Sequence, residues 1–157
     1  WKAALTSTSE AVLLFFELSE ANPDAFNPYL AGSLNNLGIV LDAFNHRRVA
    51  LAATEDSVKL YSQLASTRPS AVNPELARSL NNLGSRLKSL RELQAACDVY
   101  YEAVRRLQPN FLAIPQAFAK QMVYIMKDYR DQCEALGKEV DAQLLTPIEE
   151  VLQQLGE

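Results

Sequence analysis

Histidine occurs once, cysteine twice and glycine five times in this chain of 157 residues. A single histidine and two thiols offer no His/Cys cluster for a metal centre, and two cysteines make no disulfide framework. Scarce glycine in a chain that is 48% apolar excludes a disordered segment and suits a helical globular protein of one domain. No apolar run approaches the roughly 18 residues that a membrane span requires, the longest being AVLLFF at 11–16. A net charge of −4 lends no support to binding nucleic acid or a membrane surface. Glycine-rich phosphate loops and nucleophile elbows are absent. The sparse cysteines suit a reducing compartment, so a cytoplasmic location is the expectation. The chain opens on Trp1 rather than Met, without a signal-peptide pattern, and reads as a piece of something longer.

What the sequence does contain is repetition. NPYLAGSLNNLG at 27–38 returns as NPELARSLNNLG at 73–84, 46 positions later. The same offset aligns Ala4, Ala50, Ala96 and Ala142 in one column, Pro23, Pro69 and Pro115 in a second, and Val12, Val58 and Val104 in a third. Four alanines and three prolines in register without a gap identify a repeat array.

Each repeat reads as two helices. Asn27–Pro28 and Asn73–Pro74 are expected starts, with Asn as N-cap and Pro at the first helical position, where its missing N–H costs nothing. Leu30, Leu34, Leu37, Leu41 and Phe44 then form one apolar stripe, repeated by Leu76, Leu80, Leu83, Leu87 and Leu90. A turn at 44–47 leads to a second helix over about 48–66, stopped by Pro69, and its counterpart is expected over about 92–107. The resulting division is a partial repeat at 1–22 (second helix only), repeats at 27–66 and 73–107, and a degenerate repeat with a C-terminal cap at 115–157. In that last unit Met122, Met126, Tyr129, Cys133 and Leu136 take the leucine columns.

Leu34, Leu37, Gly38, Leu41 and Ala50, with Leu80, Leu83, Gly84, Leu87, Ala96, Tyr100 and Ala103, resemble the tetratricopeptide repeat in their spacing. The resemblance covers about residues 1–136. Leucines stand where that family's first helix has Trp and Tyr, and the period is 46 instead of about 34 residues. This longer form with SLNNLG is similar to the repeats of kinesin light chains and to tandem repeats of large fungal and bacterial signalling proteins. HEAT repeats, at about 40–47 residues, fit the period but not the Leu-x-x-Leu-Gly…Ala spacing. The resemblance implies an all-α fold, a right-handed superhelical stack of antiparallel helix pairs (an α-solenoid) with six or seven helices.

It also implies a concave groove that takes a peptide segment of a protein partner, with no cofactor. Opposite the leucine stripe lie Gly32, Asn36, Ile39 and Ala43, and in the next repeat Arg78, Asn82, Ser85 and Ser89, flanked by Asn81 and Lys88. The expected peptide-binding residues are Asn36, Ile39, Arg78, Asn82, Ser85 and Lys88. Asn36 and Asn82 match the family's backbone-clamping amide, which both donates and accepts. Arg78 and Lys88 favour an acidic ligand. Asn35 and Asn81, nearer the flank, are expected to tie neighbouring helices together. In the third repeat the corresponding columns hold Tyr124 and Asp128, with Lys127 beside them, which departs from the family branch that reads carboxylate tails.

The search for chemistry is empty. His46 lies in an interhelix turn beside Arg47 and Arg48, Cys133 occupies a leucine column, and Cys97 abuts the close-packing Ala96, so the expectation is a non-enzymatic binding module without metal. It reads as part of a larger scaffold or signalling protein. The competing expectation is self-assembly. Residues 1–22 lack a preceding first helix, so Leu13, Leu14 and Phe16 should face outward and mediate a homodimer through the N-terminal helix, with Val12 and Phe15 turned toward the next helix.

Overall fold

A computed structural model describes residues 2–156 of the chain, which form seven helices and no strand. They are α1 (Lys2–Ala21), α2 (Pro23–Ala43), α3 (Arg47–Thr67), α4 (Pro69–Ser89), α5 (Leu93–Ala113), α6 (Pro115–Ala135) and α7 (Ala142–Gly156). Each packs mainly on its neighbours in the chain, so consecutive helix pairs build an all-α, solenoid-like stack. Two helices of 21 residues, a three-residue turn and a one-residue link fill the 46-residue period.

The two connections are made differently. After α2, α4 and α6, Asn45, Arg91 and Gly137 share one repeat column and all take the left-handed conformation, at φ 63°, 64° and 64°. Each closes the preceding helix with the same bond: the N–H of His46, Glu92 and Lys138 donates to the carbonyl of Leu41, Leu87 and Cys133, all at 2.9 Å. A backbone bond spanning six residues around a left-handed residue is the standard helix stop. Gly137 adopts it freely, Asn45 at little cost, and Arg91 with strain. The one-residue links, Asn22, Arg68 and Ile114, precede the column of Pro23, Pro69 and Pro115, each of which opens a helix.

The first helices therefore begin earlier than Asn27–Pro28 and Asn73–Pro74 suggest. Asn22 is the N-cap of α2, its side-chain oxygen accepting from the Ala25 N–H at 3.3 Å, and Pro28 and Pro74 lie inside α2 and α4. A proline inside a helix withholds the N–H that the carbonyl four residues earlier would accept. For Pro74 that carbonyl belongs to Ser70, and the Asn110 side chain donates to it at 2.7 Å instead. Helix α5 likewise extends past the expected end near 107, through Pro109 to Ala113, because the fully buried Phe111 anchors its last turn in the core.

Paired helices approach closest at the glycine column. A Cβ added to Gly84 would stand 2.5 Å from the Tyr100 ring, and one on Gly38 would collide with the Thr54 hydroxyl and meet the Ala50 carbonyl oxygen at 3.1 Å. Ala50 and Ala96, in the partner helices, are completely buried. The Ser57 hydroxyl, also fully buried, donates to the Ala31 carbonyl at 2.7 Å and meets the Ser79 hydroxyl at 3.2 Å, joining α2, α3 and α4 at one point. The third pair breaks the rule. Arg130 stands in the glycine column, and α7 begins only after a six-residue link, is 15 residues long, and seats Leu144, Leu145 and Ile148 against α5 and α6. Arg130 forms an ion pair with Glu149 there instead of a close crossing.

At the other end α1 packs only on α2, and Phe15 stacks on Tyr29 with ring centroids 5.4 Å apart. Leu13, Leu14 and Phe16 are 63%, 53% and 52% exposed. The repeat counterparts of Leu13 are Lys59 and Arg105, which stay exposed although first helices flank α3 and α5 on both sides; Ser62, the counterpart of Phe16 in α3, is exposed too. Leu14 is more exposed than both its counterparts, the half-buried Leu60 and Arg106, whereas the other counterpart of Phe16, Gln108, is half-buried.

The glycine column gives a direct test. Gly84→Ala should destabilise the fold by about 1–2 kcal/mol in urea unfolding, overpacking against Tyr100 outweighing the gain in helix propensity. Gly32→Ala should be neutral or stabilise by up to about 1 kcal/mol, since its Cβ would meet only the Tyr61 hydroxyl, at 3.2 Å. Equal effects at the two positions would locate the constraint elsewhere.

Candidate functional site

Helices α2, α4 and α6 line up side by side, and the face they share is an open cleft of about 920 Å³. Asn35, Asn36 and Ile39 come from α2, Glu75, Arg78, Asn81 and Asn82 from α4, and Ala117, Lys120, Gln121, Val123, Tyr124, Ile125 and Lys127 from α6.

The floor is held by a ladder of side-chain amides. Asn82 donates to the Asn35 side-chain oxygen at 3.0 Å, and one repeat further Asn81 donates to Asp128 at 2.8 Å. Both rungs span 47 positions, so they are the same interaction shifted by one repeat. Asn35 and Asn81 are almost fully buried, as their expected tying role requires. Gln121 adds a third tie, donating to the Pro74 carbonyl at 2.7 Å. Beyond the cleft, Arg86 donates to Asp42 at 2.7 Å with its side chain 10% exposed, fastening α4 to α2. A buried pair of this kind costs desolvation, so its contribution is to register more than to net stability.

Of the residues expected to bind peptide, Asn36, Ile39, Arg78 and Asn82 line the cleft, while Ser85 and Lys88 do not. Ser85 faces α5, its hydroxyl 3.3 Å from that of Tyr100, and the exposed Lys88 lies outside the lining. Asn82 is committed to Asn35, whereas the exposed Asn36 amide has no partner among the described residues. Arg78 is paired with Glu75 on its own helix, and Lys127 with Asp131 at 2.6 Å. Lys120 has no ion pair among the described residues. The exposed walls are apolar: Ile39, Val123 and Tyr124, the last 62% exposed.

Sequence reasoning missed Glu75, Ala117, Lys120, Gln121, Val123 and Ile125. The signal was obscured because α6 lacks the SLNNLG phrase. The 46-residue register still carried it: Gly32, Arg78 and Tyr124 form one column, and Lys120 takes the column of Pro28 and Pro74.

Burial, and next the nearby Glu75 charge, raise the Tyr61 hydroxyl above its ordinary pKa, so this group beneath the cleft stays protonated. Among the described residues no group of three or more His, Cys, Asp or Glu is placed to hold a metal ion, and no helix is long and apolar enough to cross a membrane. Comparison of the chain with protein-family models, with curated proteins and with solved structures finds no match in any of the three.

The two asparagine roles separate by stability. Asn81→Ala removes a rung and should cost about 1–2 kcal/mol in denaturant unfolding, while Asn36→Ala should change stability by less than about 0.5 kcal/mol. A comparable loss for Asn36→Ala would make that amide structural as well.

Proposed function

We propose that the cleft across α2, α4 and α6 holds an extended segment of another protein, as in a tetratricopeptide interaction module of a larger scaffold or signalling protein, without catalysis. The observation that carries this reading is the exposed apolar wall of Ile39, Val123 and Tyr124 set beside two uncommitted polar groups, the Asn36 amide and the Lys120 ammonium. Asn36 has the donor and acceptor needed to clamp a peptide backbone. Tyr124 and Val123 offer a surface for an apolar or aromatic side chain, whose burial supplies most of the affinity. Lys120 selects a carboxylate, making an acidic segment with an apolar anchor the favoured ligand. Asn82 contributes indirectly, by fixing the floor.

Panning a library of random twelve-residue peptides against the intact chain tests this. Selected peptides should carry an acidic residue beside a large apolar one. Their affinity should fall about tenfold or more in Tyr124→Ala and in Lys120→Glu, weaken with salt, and stay unchanged in Arg105→Ala on another face. Peptides that bind the Tyr124→Ala/Lys120→Glu double variant as well as the wild type would reject the cleft.

A second reading rests on the exposed Leu13, Leu14 and Phe16, which would make α1 a self-association edge. Sedimentation of the wild type beside Leu13→Lys/Phe16→Glu at matched concentrations decides it. A dimer in the wild type that dissociates in the variant supports the edge, and a wild-type monomer across the range rejects it.

A further inference from the structure

The repeat register singles out one junction. Between a second helix and the first helix that follows it, the paired columns hold Leu5 with Leu41, then Leu51 with Leu87, and then Cys97 with Cys133. In the first two junctions Leu5 packs into the cluster that contains Leu41, and Leu51 into the one that contains Leu87. At the third junction two thiols replace two leucines, and their sulfurs lie 3.6 Å apart, both buried and both free. Two smaller side chains leave space. A crevice of about 250 Å³ lined by Cys97, Cys133, Asp98, Tyr101, Tyr129, Lys138 and Glu139 reaches the sulfurs from the surface. Ordinary core packing needs neither sulfur at that spot, since the same protein solves the same packing problem twice with leucine.

We propose that Cys97 and Cys133 form a reversible dithiol–disulfide couple that pins α5 to α6, the helix that carries Lys120, Val123 and Tyr124. The oxidant class is a small disulfide. The thiolate of one cysteine attacks it, forming a mixed disulfide and expelling one small thiol. The second cysteine then attacks the protein sulfur of that mixed disulfide, closes the Cys97–Cys133 bond and expels the second small thiol. Two protein thiols are oxidised, one small disulfide is reduced to two thiols, and the two protons leave on those thiols. Bond formation requires the sulfurs to close to about 2.05 Å, a movement of the size that side-chain rotation provides. Burial, and next the neighbouring Cys133, push the Cys97 thiol up to about 11, so little thiolate is present near neutral pH and exchange with such an oxidant is slow. The bond would close a loop across 36 positions, long enough to stabilise the fold substantially.

The test uses the intact chain and 2-hydroxyethyl disulfide at about pH 8.5, where more thiolate is present. Expected are loss of both free thiols without covalent dimers, a mass lower by two hydrogens, and a melting temperature higher by about 5 °C or more. Slowed amide exchange in α6 and full reversal by dithiothreitol should accompany it. Cys97→Leu/Cys133→Leu, which installs the pair used at the other two junctions, should fold and show no response to the oxidant. Stable mixed disulfides, intermolecular crosslinks, or two thiols still free after complete consumption of a model dithiol would each overturn the proposal. So would an internal bond that leaves the melting temperature and α6 exchange unchanged. None of these readouts depends on a peptide entering the cleft.

Discussion

Everything in this molecule depends on how closely two helix backbones approach where Gly38 and Gly84 face Ala50 and Ala96. With no side chain on one helix and a methyl group on the other, the pair closes until Thr54 and Tyr100 occupy the space a Cβ would need. A close crossing at the same point in successive repeats fixes each pair's angle, and equal angles place equivalent residues at equal heights along the stack. The 46-residue ladder of Asn35–Asn82 and Asn81–Asp128 follows from this, since a rung can repeat only if the repeats superpose. The cleft is the surface above that ladder. The end of the array also follows: with Arg130 in the glycine column, α7 cannot cross as α3 and α5 do, and it docks as a shorter cap.

How much of this was legible in the sequence depended on whether a feature was periodic. The offset of 46, the helix pairing, the close packing of Gly38, Gly84, Ala50 and Ala96 and the tying role of Asn35 and Asn81 all lie in repeated residues, and the fold agrees with them. Helix starts were misread because Asn22–Pro23 and Asn27–Pro28 offer the same capping chemistry five residues apart. The deciding clue was that proline recurs in the column of 23, 69 and 115 in all three repeats, while the column of 28 and 74 ends in Lys120. The interior prolines were then tolerable because other groups take up freed carbonyls, as Asn110 does for Ser70. No local pattern announces such a distant partner.

The α6 wall of the cleft was harder to read for a related reason. It keeps the apolar columns but lacks the SLNNLG phrase, so phrase matching stopped there, although helix length and register continue unchanged to Ala135. The thiol pair shows the same limit. Burial of Cys97 and Cys133 was legible from their columns, but their proximity exists only at the α5–α6 junction, across 36 positions of chain.

Comparing the repeats with one another separates scaffold from chemistry within a single chain. SLNNLG is spelled identically in α2 and α4, and its residues prove occupied: Asn35, Asn81 and Asn82 in rungs, Gly38 and Gly84 at crossings. Identity between repeats marks positions that must satisfy the same neighbour each time. Positions at the same height that differ, such as Gly32, Arg78 and Tyr124, have no common neighbour to satisfy. Arg78 and Tyr124 line the cleft, where the stack leaves that column free to vary. Asn36 is the exception that supports the distinction. It shares the phrase, yet its exposed amide lines the cleft and has no partner among the described residues. The same residue type at Asn82 is consumed by the scaffold one repeat later.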